Sequence, residues 1–478
     1  MKDWRSTMKK RNFVCLMILI CALLTGCQST PEQDVIANKN DHQVRQTDVS
    51  QADSDTTSED QSADGTEIVS EAISETFDAD TEGVSINVQA DEVKAHPVPI
   101  VYAEAKEISV DDVKRWSKVF FGTEDVYDGR NEMTKSEIEE AILWRQQAIN
   151  DRESLIAEGY TEEEADSVIQ LYKDEIKNLK AHYSEAIDND EREKTDWTFR
   201  PASYYMKEEY DDDDNDEWDD IDQTEKLKVI GDCDGKRAYI SASNRSTQDY
   251  QLHTLMFYWE DEDDGVLVGS APSLSQEEAI QMTDEKLKEL TDGTWKVNNV
   301  WSNHNQWHIR YIPILNDVPC VYSDIGYTSE DAYAANLEYE QIDFTLTDDK
   351  IVSAEWDSPM QITSTEDQSA TLLSFNDIYQ AFKNYMQVKC TLNSLGLATD
   401  DPEEDGVAGV QAYANITDIS QMYCRVKVKN TDQSYQYVPT FVFSGYTSQG
   451  DYKEDDWVNQ YCVVNAIDGT IINTWLGY

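Results

Sequence analysis

Three segments of the chain repeat one pattern: an apolar residue, Ser, any residue, a polar residue, an acidic residue and a second apolar residue. They are residues 108–113, 274–279 and 373–378. In each, the Ser side chain can accept from the first free N–H groups of a helix, the acid can accept from the Ser backbone, and the apolar pair can pack across the cap. The pattern predicts helices beginning after Ser109, Ser275 and Ser374.

Strand-like alternation precedes each predicted helix. The alternating segments are 84–88 with 98–102, 255–259 with 266–268, and 342–346 with 352–356. Acidic turn residues separate the members of the second and third pairs, as in β-hairpins. Because the order hairpin then helix recurs, the sequence predicts tandem modules.

A different element lies between the first two modules. Thr134 with Glu137 and Thr161 with Glu164 have the spacing of capping boxes, and Gly159 suits a helix end. Apolar residues recur at helical spacing in both segments, so the sequence predicts an antiparallel helical hairpin whose second helix has about 27 residues and a length of about 40 Å.

The C-terminal region is rich in predicted strands. Residues 422–429 alternate between apolar side chains and the side chains of Tyr423, Arg425, Lys427 and Lys429. This pattern predicts a half-buried strand with a basic outer face. Residues 435–443 are apolar on both faces, as in a central strand. Asp468 and Gly469 predict a type I′ turn.

These elements together predict an α+β fold, in which tandem modules of antiparallel sheet plus helix are interrupted by an antiparallel helical hairpin. The predicted boundaries are a signal peptide at 1–26, a disordered acidic tether at 27–83, a first module at 84–130, the helical hairpin at 131–192, a second module at 193–335 and a third at 336–478.

The N-terminal segment has the charge and length of a signal peptide. Lys9, Lys10 and Arg11 precede an apolar run from 13 to 24, and small residues follow. A transmembrane helix is the alternative, but about 12 apolar residues are too few for a span that needs roughly 20.

The junction Leu24-Thr25-Gly26-Cys27 resembles the bacterial lipobox. The resemblance implies that Cys27 receives diacylglycerol and becomes the first residue of the mature protein. It therefore implies a protein held by membrane lipid on the extracytoplasmic face of the cell membrane. Residues 28–83 are polar and acidic with Phe77 as the single aromatic residue, which predicts a flexible tether.

The chain end resembles extracytoplasmic PepSY-like and YycI-type modules. The resemblance is carried by residues 463–472, Val-Val-Asn-Ala-Ile-Asp-Gly-Thr-Ile-Ile. It implies a helix packed on an antiparallel sheet from residue 339 onward and a role in regulating peptidases or sensor proteins. The lipobox followed by residues 28–32, the capped helix near 109 and this ending also resemble uncharacterised Gram-positive lipoproteins that share a domain of unknown function, which implies no activity.

The net charge of the chain limits the classes of molecule that it can bind. The chain has 39 Lys and Arg against 96 Asp and Glu, a formal net charge of −57. Such a protein repels phosphate backbones, so nucleic-acid binding is disfavoured. The acidic run from Asp211 to Asp220 is read as a solvated loop and not as a calcium site, because the sixth position of a loop starting at Asp212 is Glu217 where an EF-hand requires Gly.

No candidate catalytic, cofactor or metal site emerges from the motifs. His304 and His308 are four apart but lie in a strand-like context, where their side chains would not share a helical face. Five Cys remain beyond Cys27: Cys233, Cys320, Cys390, Cys424 and Cys462. Their spacing favours buried free thiols, although Cys424 and Cys462 lie in strand-like runs and could pair.

The sequence favours a non-catalytic, membrane-anchored lipoprotein that binds or regulates another cell-envelope protein. Aromatic side chains such as Trp295, Trp301 and Trp307 support an alternative, a surface module that binds a cell-wall glycan or a peptide. A hydrolase that uses paired carboxylates is the third hypothesis.

Overall fold

The computed structural model describes residues 68–157, 161–188, 191–205, 224–233, 235–246, 251–259, 272–303, 305–322, 338–347, 350–392, 394–397, 411–428, 434–450, 452–453 and 459–474. All of them belong to one unit, Ser58–Tyr478. The predicted signal peptide, Cys27 and the acidic run at 211–220 lie outside the described residues.

The three predicted caps each begin a helix. The helices are α1 Val110–Phe121, α2 Lys135–Asn150, α3 Arg152–Ala157, α4 Glu162–His182, α5 Gln276–Leu290 and α6 Phe375–Lys389, with a 3₁₀ helix at Ala202–Tyr205. Ser109 and Ser275 form complete capping boxes with Asp112 and Glu278. Ser374 accepts from the backbone N–H of Asp377. The local sequence thus decides where these helices start.

Removing the cap of α5 should destabilise the protein measurably. We expect Ser275→Ala to lower the free energy of unfolding by about 1 kcal/mol, because the N–H of Glu278 loses its acceptor. Urea unfolding of this variant beside Ser302→Ala, an exposed Ser in a strand, is the measurement. Equal midpoints for the two variants would contradict the prediction.

The strands are β1 Ile68–Val69, β2 Ile73–Asp78, β3 Val84–Ala90, β4 Lys94–Ala95, β5 Pro99–Ala105, β6 Tyr127–Asp128, β7 Arg200–Pro201, β8 Thr224–Cys233, β9 Lys236–Ser246, β10 Gln251–Trp259, β11 Trp295–Asn303, β12 Gln306–Leu315, β13 Val318–Pro319, β14 Gln341–Leu346, β15 Ile351–Asp357, β16 Met360–Ser369, β17 Ala412–Lys427, β18 Ser434–Gln449, β19 Tyr452–Lys453 and β20 Asn459–Asn465. Apart from the β1–β4 pair, they form two large sheets. The predicted α+β class is confirmed.

Sheet 1 takes its strands from the middle of the chain. Its order is β11-β12-β14-β15-β10-β9-β8-β6, and β13 and β7 pair with β12 and β8. Helices α1 and α5 supply side chains to one core with this sheet, where Trp116 and Leu287 are buried together with Phe257. The ring of Phe120 stacks on Phe257 with centroids 3.9 Å apart.

Sheet 2 joins the two ends of the described chain. Its order is β16-β5-β18-β17-β3-β2, and β19 and β20 also pair with β18. The β3–β17 pair is parallel, and Asn87 donates to the side-chain oxygen of Asn415 across it at 3.2 Å. Helix α6 packs on this sheet, with Phe382 stacked on Phe443 at 4.0 Å. A helix packs on a sheet, as the C-terminal resemblance implies, but the sheet is not built from residue 339 onward alone. Strands β14 and β15 belong to sheet 1, and sheet 2 includes β2, β3 and β5 and one parallel pair.

The predicted first hairpin is wrong. Strands β3 and β5 are separated in sheet 2 by β18 and β17, and the helix that follows them, α1, packs with sheet 1. Alternation indicates a strand but not its partner, and β3 lies between β2 and β17. The third hairpin, β14–β15, is confirmed, with Phe344 opposite Ala354. It belongs to sheet 1, so strand pairing crosses the predicted boundaries at 130 and 336.

The second predicted hairpin is described only in its first strand, β10, because residues 263–268 lie outside the described residues. In the structure β10 pairs with β9 and β15.

The prediction of a disordered tether is wrong for residues 68–83. Strand β2 pairs with β3, and Phe77 packs edge-on against Phe382 with centroids 6.3 Å apart. The polar composition of the whole segment hides the alternation of Ile73, Glu75 and Phe77, and β3 supplies the hydrogen bonds that the short strand needs.

The predicted basic outer face of β17 is also wrong. Residues 421–426 are buried on both faces, and Arg425 is 3% exposed. The reason is that a second layer covers this face, since β13 and Tyr339 contribute to the same core as Tyr423. The central position of β18 is confirmed. A turn at Asp468-Gly469 is also confirmed, and Ile471 pairs with Val464 beyond it. Its predicted type I′ is wrong, because Gly469 has φ +76° while Asp468 keeps a negative φ, and a type I′ turn needs positive φ at both central residues.

The helical hairpin is confirmed with shorter helices than predicted. Arg145 and Arg152 of its first arm pair with Glu175 and Asp166 of α4, which sets the arms antiparallel. The first arm breaks at Asp151, which separates α2 from α3, and α4 spans 21 residues. Residue Gly159 lies outside the described residues.

Candidate functional site

The larger of the two cavities described here lies between the helical hairpin and one end of strands β8–β10. Its volume is about 440 Å³, and we call it the hairpin pocket. The residues that build its walls include Tyr127, Glu137, Trp144, Arg192, Arg237 and Trp259. A cavity of this size falls in the range of small-molecule sites, which is roughly 300 to 1,000 Å³.

Helix α2 supplies one wall. Glu137, Glu140, Ala141 and Trp144 follow a three-four spacing, which places them on one face of the helix. The cap fixes where this face begins, because Thr134 accepts from the N–H of Glu137 and donates its own N–H to the Glu137 carboxylate at 2.7 Å. The helix start therefore orients the pocket carboxylate.

Two guanidinium groups meet Glu137. Arg192 donates Nη1 to Oε1 at 2.9 Å, and Arg237 donates Nη1 to Oε2 at 3.2 Å. The side chain of Arg237 is 6% exposed, and its Nε donates to the hydroxyl of Tyr239 at 3.0 Å. Charged groups held this closely are ordered before any ligand arrives.

Arg192 has one buried donor without a partner among the described residues. Its guanidinium carbon lies 4.1 Å from the ring centre of Tyr127, and its Nε has no acceptor among the described residues. The ammonium of Lys194 lies 3.8 Å from the same ring centre, so two cations contact Tyr127.

The β8–β9 turn supplies the opposite wall. Asp232 accepts from the N–H of Gly235 at 2.9 Å, and Gly235 has φ +80°, a conformation that favours glycine. Lys236 follows, and its ammonium lies 5.8 Å from the ring centre of Trp259. Lys236 is exposed and makes no ion pair with a described residue.

Two tryptophans of the pocket differ in exposure. Trp259 is 4% exposed and donates Nε1 to the carbonyl of Ile351 at 3.1 Å, which fixes it in the core. Trp144 is 40% exposed and rests edge-on against Tyr172 with centroids 5.3 Å apart. Trp144 is therefore the ring with area left for a ligand.

A second cavity of about 270 Å³ lies between the end of α5, β12 and the start of β16. Glu340 lines it and accepts from Trp356 Nε1 at 3.2 Å. Burial raises the pKa of this carboxyl from 4.5 to about 7, against the hydrogen bonds from the Met360 backbone and Trp356 and the charges of Arg425 and Lys106. This carboxyl can change its charge near neutral pH.

Several acidic side chains also lie close together on β14 and β15. Asp343 stands opposite Glu355 in the sheet and forms a two-point ion pair with Arg310, at 2.9 and 3.1 Å. Burial, then Glu355 and Asp343, raises the pKa of Asp357 well above its usual range. Neither cavity described here includes these groups, so the arrangement does not place them around a substrate.

The histidine and cysteine predictions have clear outcomes. His308 lies in β12, as the strand-like context indicates, with its ring stacked on Trp301 at 5.1 Å and Nδ1 within 3.2 Å of Thr345 Oγ1. His304 lies outside the described residues. The five thiols are free, and all are buried as predicted except Cys233, which is partly exposed. Cys424 and Cys462 belong to different cores, so they do not pair.

Among the described residues, no three His, Cys, Asp or Glu side chains are arranged to hold a metal ion. The described helices include none that is both long and apolar enough for a bilayer span. Of the predicted sugar-stacking rings, Trp295 and Trp307 pack against the core of sheet 1, and Trp307 Nε1 donates to the Leu274 carbonyl at 2.9 Å.

Sequence reasoning missed the hairpin pocket. It singled out neither Arg192, Arg237 nor Lys236, which come from segments far apart in the chain. The available signal was the face of α2, where the capping Glu137 and Trp144 are seven residues apart.

Comparisons with known proteins give weak similarity only. No protein-family model matches the chain. No curated protein matches it either. An uncharacterized protein from Eubacterium rectale ATCC 33656 is 14% identical over 52% of this chain and 76% of that chain, with a TM-score of 0.30. The Bacillus megaterium YpeB C-terminal domain is 9% identical over 52% of this chain and 87% of that chain, with a TM-score of 0.23. Similarity at this level assigns no family.

Proposed function

We propose that this protein is a lipoprotein anchored through Cys27 on the extracytoplasmic face of the cell membrane, where it acts as a non-catalytic binding protein of the envelope. The observation that carries the proposal is the order of a basic segment, a short apolar run and Leu24-Thr25-Gly26-Cys27. Lipid chains stabilise attachment by about 0.8 kcal/mol per buried CH₂ group, so the anchor is effective without a membrane-spanning helix.

Two features support binding of another envelope protein. The C-terminal strand-turn-strand resembles PepSY-like modules. The helical hairpin exposes apolar side chains, with Leu143 at 55%, Leu171 at 40% and Ile156 at 38%. These exposed side chains are candidate contacts for a partner protein.

The hairpin pocket supports a second candidate, the binding of a cell-wall glycan. Its charged side chains are held by one another, since Glu137 is paired with both Arg192 and Arg237. Such a pocket is ordered for recognition. The exposed ring of Trp144 adds a surface for an uncharged part of a ligand.

The anchor is tested by labelling cells with radioactive palmitate. We expect the wild-type protein to incorporate label and to sediment with membranes, and Cys27→Ala to lose both because the acceptor thiol is absent. Cys21→Ala is the matched control, because it removes a thiol six residues earlier and keeps the junction. Equal labelling and sedimentation of Cys27→Ala and the wild type would refute the anchor.

A further inference from the structure

We propose that the hairpin pocket binds an acidic sugar, that is, a saccharide unit that carries a carboxylate. The inference rests on the proposed function only in that an envelope protein has access to such glycans. The contacts that recognise the sugar belong to α2, to Arg192 and to the β8–β9 turn.

The charge of the ligand follows from the cations that line the pocket. Lys236 lines the pocket, is exposed, and makes no ion pair with a described residue. Arg192 is bonded to Glu137 through Nη1, while its Nε has no acceptor in the described part of the chain. The pocket lining carries Arg192, Lys236 and Arg237 against Glu137, Glu140 and Asp232, so its formal charge is zero in a chain with a net charge of −57. Both arginines are paired with Glu137, so Lys236, which has no ion-pair partner among the described residues, is the cation that attracts an anion here.

The hydroxyl groups of a sugar fit the remaining polar side chains. Glu140 and Asp232 line the pocket and are exposed. Glu140 has no hydrogen-bond partner within the described residues, and Asp232 accepts from Gly235 through Oδ1. A carboxylate only accepts and an ammonium only donates, whereas a hydroxyl does both, so a polyhydroxylated ligand can satisfy the two kinds of group together.

The ring of Trp144 suits the apolar face of a sugar. It is 40% exposed at the pocket, and its contact with Tyr172 limits its movement. The aliphatic lining is small, from Met133 and Ala141. A peptide that enters a pocket usually places apolar side chains in apolar subsites, so this lining favours the saccharide.

The test is binding of glucuronate to the full chain carrying Cys27→Ala, which removes the lipid without changing the described residues. Tryptophan fluorescence and calorimetry measure the dissociation constant. We expect glucuronate to bind at least about tenfold more tightly than glucose, because only glucuronate brings a carboxylate to Lys236. Lys236→Gln should weaken glucuronate binding by about tenfold or more and leave glucose binding unchanged.

Matched controls separate the contact from general effects. Lys288→Gln removes one lysine charge from α5, outside the pocket. This variant should bind glucuronate as tightly as the parent protein does. Trp144→Ala should weaken binding of both sugars, whereas Leu143→Ala, at the neighbouring exposed position, should not. Thermal unfolding of each variant checks that the fold is kept.

Three outcomes would overturn the proposal: no detectable glucuronate binding, equal binding of glucose and glucuronate, or tighter binding of a short peptide with a free C-terminal carboxylate. None of them bears on the anchor, because the experiment uses a protein without lipid. Conversely, failure of palmitate labelling would refute the anchor and leave the measured sugar affinity as it stands.

Discussion

Gly445→Ala should unfold the protein at markedly lower urea concentration than the wild type. Gly445 lies in β18 opposite Ile416 of β17, beside a break in the register of the two strands. A Cβ at this position would overlap the backbone carbonyl of Asn415. Because the overlap is with backbone atoms, it can be relieved only by separating the two strands. We therefore expect a loss of about 3 kcal/mol in the free energy of unfolding.

Ser444→Ala is the control, since it changes the adjacent residue without adding an atom to the strand. Circular dichroism during urea unfolding gives both midpoints. A Gly445→Ala midpoint equal to that of Ser444→Ala would show that β17 and β18 approach one another less closely than described.

The free energy of unfolding should also fall with rising pH through the titration of Glu340. Burial raises the folded-state pKa of this carboxyl from 4.5 to about 7. The folded state therefore holds its proton more tightly than the unfolded chain does, so the stabilisation is complete below pH 4.5 and is lost as the pH rises through about 7. We expect a loss of about 2 kcal/mol, allowing for partial solvent screening.

Glu340→Gln keeps the shape of the side chain and an oxygen for Trp356 Nε1, and it should remove this part of the pH dependence. Glu104→Gln, at an exposed position of β5, is the matched control for the loss of one acid from a very acidic chain. Urea unfolding at a series of pH values gives the pH dependence of the free energy of unfolding for the wild type and each variant. Parallel curves for Glu340→Gln and the wild type would refute the assignment.

Local signals predicted the parts of the fold that depend on a few neighbouring residues. The caps at Ser109 and Ser275, the β14–β15 hairpin and the turn at Gly469 are set by side chains within a few positions of one another. Their energies are local, so a single sequence suffices to recognise them.

The pairing of distant strands could not be predicted in this way. Alternation in β3 is equally compatible with β5 and with β17, and the choice is made by the cores on the two faces of sheet 2. The same limit explains Arg425, whose position on β17 resembles a solvent-facing site until the second layer covers it. Composition averaged over 27–83 similarly concealed β2.

The hairpin pocket could not be predicted from local sequence signals for the same reason. Its walls come from α2, from Arg192 and from the β8–β9 turn, and only the folded chain brings them together. A sequence could at most mark the face of α2. The free thiols were predictable, because burial is the usual environment of unpaired cysteine.

The parallel pairing of β3 with β17 limits the order in which parts of the protein can fold. Val84 and Ile86 lie early in the chain, and their strand neighbour Ala412 comes more than three hundred residues later. During synthesis, β3 remains without that neighbour until most of the polypeptide has emerged. A product that stops short of β17 would leave the apolar edge of β3 unpaired, which is a feature that chaperones and quality-control proteases recognise.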